Sequence, residues 1–137
     1  SITSYHIDTT SGRLTEKESV SLIPAGYDGA TGCTQIRITR NARWIFAPLG
    51  GHCSLVSLRV AADGALPVAD HAPMDPGPRA IGLDADDRFV LAPDTRTGYL
   101  NVYSIDHDTG KLGLRDRSPL DKNPSKATPM WVLATKP

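Results

Sequence analysis

Residues 77–112 read GPRAIGLDADDRFVLAPDTRTGYLNVYSIDHDTGKL, and their pattern decides the fold. Three apolar runs occur, each about a strand long: 80–83, 89–92 and 100–105. The third alternates apolar and polar residues, the mark of a half-buried strand. Asp84-Ala85-Asp86-Asp87-Arg88 separates the first two runs as a polar turn. Asp106-His107-Asp108-Thr109-Gly110 follows the third, with Gly110 free to adopt positive φ. Short strands joined by tight turns form an antiparallel meander. A lone meander of this size is marginal in water and must pack on something.

The pattern recurs upstream. Residues 33–39, a turn, and 43–48 repeat the first hairpin; Arg43 to Arg88 and Pro48 to Pro93 are each 45 positions apart. Residues 55–60, followed by Gly64-Ala65-Leu66, repeat the third run and its turn. A further copy opens the chain: residues 2–8, then Ser11-Gly12-Arg13-Leu14. Tyr5 to Leu58 is 53 positions and Leu58 to Tyr103 is 45, which places an insertion near 27–32. A four-strand unit repeating at about 45 residues marks a β-propeller blade. The fold class is therefore all-β, built of four-stranded antiparallel blades.

With blade strands named a to d from the axis outward, 1–32 form an outer half-blade (strands c and d). Residues 33–76 and 77–128 are whole blades, with strands over 33–70 and 79–117. Residues 129–137 supply one more inner strand a, at 130–134. Propellers close on 4–8 blades, so the open ends require further blades or another chain.

Composition agrees. The 137 residues are 39% hydrophobic, with 12 Gly and 11 Pro falling between the runs. No helical periodicity persists, no run is long enough to span a membrane, and no leader pattern is present. Fifteen basic and fifteen acidic residues are interspersed, which argues against nucleic acid or a membrane surface as partner. The four histidines have no metal spacing, and with two lone cysteines no metal or cofactor is expected. Cys33 and Cys53 start strands a and c of one blade, two strand spacings or about 9–10 Å apart. That exceeds the roughly 7 Å that a disulfide bridges. Free thiols fit a reducing cytoplasm.

PRAIGLDADDRFVLA followed by LNVYSIDHDTGKL resembles the repeat of the seven-bladed propeller lactonases, the 6-phosphogluconolactonase and carboxymuconate-lactonising group. Thr128-Pro129-Met130-Trp131-Val132 is similar to the family's last strand, which completes the first blade. The resemblance covers essentially the whole chain. It implies the C-terminal three-sevenths or so of a longer propeller, and a small anionic lactone as ligand.

Antiparallel order places strand-a starts and b–c loops on one face, with the a–b and c–d turns beneath. On the upper face stand Gln35, Arg37, His52, Arg79 and Trp131. The resemblance marks Arg79 as an active-site arginine, suited to holding an anion bidentately or stabilising an oxyanion. The bland alternative is an ion pair with Asp84 or Asp75. His52, in Leu49-Gly50-Gly51-His52, is a candidate proton shuttle, although Leu49 replaces the family's arginine. Gln35 stands where the family usually has an acid; an amide is no general base but can bind a ligand. Arg37 is a candidate anion contact, and Trp131 a candidate lining residue. His71 is expected in a d–a loop, Tyr5 and Tyr103 between blades, and Trp44 in the core. Two functions follow: hydrolysis of a sugar lactone such as 6-phosphogluconolactone, or a non-catalytic binding or scaffold propeller that has lost its acid.

Overall fold

A computed structural model describes residues 1–78, 80–121 and 132–135. Among them are ten strands and no helix: β1 Ile2–Ile7, β2 Leu14–Val20, β3 Arg37–Ile38, β4 Trp44–Leu49, β5 Ser54–Arg59, β6 Val68–Pro73, β7 Gly82–Leu83, β8 Phe89–Pro93, β9 Tyr99–Ile105 and β10 Leu112–Pro119. They form a two-stranded sheet, β1-β2, and two four-stranded sheets, β3-β4-β5-β6 and β7-β8-β9-β10. Every pairing is antiparallel. The three antiparallel sheets match the all-β, four-stranded blade architecture expected from the repeat.

The middle blade is buried on both faces, and β4 shows why. Trp44 and Phe46 point into a core shared with Ile81, Val90, Tyr103 and Ile105 of the following blade. Ile45, Ala47 and Leu49 point the other way, against Ile2 and Leu22 of the half-blade. Alternation by two along one strand thus feeds two cores. All six residues of β4 are buried. In β9 buried residues fall only at alternate positions, Asn101, Tyr103 and Ile105.

Tyr5 and Tyr103 occupy one repeat position but differ in fate. Tyr103 is 2% exposed, and its hydroxyl donates to the Pro73 carbonyl at 3.0 Å. Burial, reinforced by the nearby Asp75 and Asp94, pushes its pKa to about 12. Tyr5 is 52% exposed. Ile7 and Leu14 are likewise exposed, whereas Ile105 and Leu112, 98 positions later, are buried against the preceding blade. Tyr5, Ile7 and Leu14 form the same face, which no blade among the described residues covers. Packing between blades thus holds for Tyr103 and not, among the described residues, for Tyr5.

The two a–b turns solve one problem with different residues. Asp84 Oδ1 accepts from the Arg88 and Phe89 N–H groups at 2.6 and 2.7 Å. Thr39 Oγ1, 45 positions earlier, accepts from the Trp44 N–H at 3.1 Å. Each turn sets its fourth residue left-handed: Ala42 at φ 54° and Asp87 at φ 55°. A left-handed alanine costs about 1 kcal/mol. Ala42→Gly is therefore expected to stabilise the protein by about that amount in denaturant unfolding; no shift or a loss would refute the strain.

The inner strands are shorter than expected. Pairing begins only at Arg37 and Gly82, not at 33 and 80. Conversely β6 extends to Pro73, which pairs with Ser54, so His71 lies in a strand and not in a d–a loop. The expected strand a at 130–134 falls partly outside the described residues; residues 132–135 carry no strand.

Candidate functional site

The segments that lead into the inner strands are braced by side chains. Gln35 Oε1 accepts from the Ile81 N–H at 2.9 Å, tying one blade to the next. Just upstream, Pro78 bridges to Asp94. Thr95 Oγ1 donates to the Gly77 carbonyl at 2.8 Å. Asp94 Oδ1 receives the Arg96 and Thr97 N–H groups, both at 2.7 Å, closing the b–c loop on itself. The Arg79 position therefore follows a start fixed by a neighbouring loop. Arg79 and Trp131 themselves lie outside the described residues.

Arg37, two residues after Gln35, lines a cavity of about 610 Å3 with Arg40, Asp84, Asp87 and residues 132–135. Its Nη1 donates to the Ile36 carbonyl at 3.0 Å. Arg40 and Asp87 belong to the a–b turns, and the Arg40 N–H donates to Asp87 Oδ2 at 2.7 Å. Arg37 thus faces the lower part of the inner strands, below the mouth where it was expected.

His52 belongs to a different cluster. Its Nδ1 lies 2.8 Å from Ser54 Oγ. Its ring packs edge-on against Tyr27 at 4.8 Å and His71 at 6.0 Å. His71 Nε2 donates to the Leu22 carbonyl at 2.9 Å. The 49–52 loop is held by the preceding connection, through Gly50 N–H to the Gly32 carbonyl and His52 N–H to Thr31 Oγ1. The structure therefore places Gln35 just before the inner strand that Arg37 begins and gives His52 other neighbours.

Asp75 and Asp84, the alternative partners for Arg79, have local work. Asp75 Oδ2 accepts from Arg117 Nε at 2.9 Å and Asn101 Nδ2 at 3.2 Å. Asp84 caps its own turn and lies near Arg88. Both cysteines are free. Desolvation pushes the Cys33 thiol up, with the bond from its Sγ to the Gln35 carbonyl acting the other way. Among the described residues no three His, Cys, Asp or Glu side chains could hold a metal, and no helix is long and apolar enough to cross a membrane. The grip of Thr95 on Gly77 is tertiary and leaves no local sequence pattern.

Two four-stranded sheets and a two-stranded one, with Gln35 of one bonded to Ile81 of the next, define part of a β-propeller. The description Lactonase, 7-bladed beta-propeller, matches residues 1–133, and the chain belongs to that family. It is 30% identical over 129 residues to a 6-phosphogluconolactonase of Serratia proteamaculans, covering 93% of this chain and 38% of that protein. It is 29% identical over 133 residues to one of Pectobacterium carotovorum, covering 96% and 39%. A solved Lactobacillus plantarum protein superposes with a TM-score of 0.80 at 28% identity, covering 85% and 35%. The periplasmic gluconolactonase of Pseudomonas aeruginosa gives 0.78 at 23% identity, covering 86% and 33%, and attests the fold alone. The chain spans about two fifths of the length of the curated relatives it matches.

Proposed function

We propose that the propeller containing this chain hydrolyses an anionic sugar lactone of the 6-phosphogluconolactone type. The family match over residues 1–133 is the observation that supports this assignment. The relatives named 6-phosphogluconolactonase support the substrate class. Arg79 holds the anionic group or the developing oxyanion, since a guanidinium matches both in a shielded pocket. Arg37 adds positive charge along the axis and Trp131 a lining face. His52 shuttles a proton. Water activation falls to a residue outside this chain, for Gln35 cannot take a proton. Opening a lactone with water needs no cofactor. The face of Tyr5, Ile7 and Leu14 receives the remaining blades.

The test is the hydrolysis of freshly made 6-phosphogluconolactone by the closed propeller, followed as acid release in a pH-stat. Release well above the spontaneous rate is expected; release at the spontaneous rate would overturn the assignment. One observation favours a binding module instead, the amide at position 35. Such a module would bind 6-phosphogluconate without accelerating ring opening.

A further inference from the structure

We infer that Gln35 acts as a hydrogen-bond donor to the ligand, presenting its side-chain Nε2–H groups to an anionic or carbonyl oxygen at the channel edge. The inference rests on the lactone reading for the identity of that oxygen, but its geometry is independent.

Chemistry fixes the amide's orientation. A backbone N–H only donates, so the atom 2.9 Å from the Ile81 nitrogen must be the acceptor, Oε1. Nε2 then occupies the other position of the amide. It donates to no described residue, and Gln35 is partly exposed. Its location follows from the sheet. β7 is the inner edge of its blade, and its outer side is taken by β8. An Ile81 N–H claimed by a side chain of the neighbouring blade therefore lies toward the axis. Gln35 bonds there, two residues before Arg37, the first residue of β3.

The consequence is a change of polarity. A carboxylate at position 35 would also accept from Ile81, but its second oxygen would be another acceptor and would repel an anion. The amide keeps the blade-to-blade bond and turns the free end into a pair of donors. The ligand must therefore offer an acceptor oxygen there: a lactone carbonyl, a carboxylate or a phosphate.

Gln35→Glu separates the two jobs, because it retains an acceptor for Ile81 and deletes both donors. The closed propeller and this variant are compared for thermal midpoint, for hydrolysis of 6-phosphogluconolactone, and for 6-phosphogluconate affinity by calorimetry at pH 8. The variant is expected to keep the parent's midpoint and to bind at least about 10-fold more weakly, a lost hydrogen bond to a charged group. Part of the affinity should return below about pH 5, where a carboxyl regains a proton to donate. Gln35→Leu, which also strands the Ile81 N–H, should lower the midpoint as well. Undiminished affinity in Gln35→Glu would overturn the donor role. So would faster hydrolysis, which would mark the position as that of a general base. A parent that binds without hydrolysing, with Gln35→Glu binding weakly, removes the lactonase assignment and leaves the donor. A parent that hydrolyses while Gln35→Glu is unaffected does the reverse, and a parent that neither binds nor hydrolyses overturns both.

Discussion

Arg79→Ala in the closed propeller is expected to lower turnover of an anionic lactone about 10²-fold or more. One charge-assisted contact in a shielded site is worth roughly 3 kcal/mol. Arg79→Lys should restore only part of this, because an ammonium cannot reproduce the planar fork. The segment before Arg79 is braced by Thr95 on Gly77 and by the Pro78–Asp94 bridge. Among the described residues, Asp75 pairs with Arg117 and Asp84 caps its own turn. His107→Ala supplies the control. His107 lies in a c–d turn on the opposite face, and its structural contribution is a backbone carbonyl that accepts from Trp44 Nε1 at 3.0 Å. The substitution keeps that carbonyl, so turnover should match the parent. Parent-like turnover by Arg79→Ala would show the assignment wrong. Equal losses in both variants would indicate a folding defect and favour the scaffold reading.

The blades were legible because strands b and c obey local rules. Strands b are short apolar runs, 100–105 alternates, and the turns carry Asp, Asn and Gly. The inner strands were misjudged in length because they pair on one side only. Upstream of Arg37 the ladder gives way to the Gln35 side chain, whose acceptor is used between blades. No local pattern reports such a bond. The same holds for His52, whose neighbour Tyr27 comes from the inserted connection. Tyr5 was read by analogy with Tyr103, which was right about the position. No preceding blade is among the described residues, so Tyr5 is exposed together with Ile7 and Leu14.

The c–d turn occurs three times, and its glycines should respond unequally to alanine. Gly12, Gly64 and Gly110 all have positive φ, at 72°, 80° and 75°. Each substitution therefore carries a backbone cost of about 1 kcal/mol. What a new Cβ would meet differs. At Gly12 nothing lies within 4 Å. At Gly64 it would meet the end of Lys17, a flexible chain that can swing aside. At Gly110 it would overlap the Trp44 ring, with Cη2 only 2.6 Å away. Trp44 cannot retreat, because it is buried in the core shared by two blades and its Nε1 is bound to the His107 carbonyl. Overpacking a core typically costs a further 1–3 kcal/mol. Gly110→Ala is thus expected to destabilise by about 2–4 kcal/mol, against about 1 kcal/mol for Gly12→Ala and Gly64→Ala. Denaturant unfolding of the three variants reads the ranking. Hydrogen exchange at the Trp44 indole should accelerate in Gly110→Ala alone. Three equal losses would mean that only the backbone matters and that the Trp44 ring does not fix this turn.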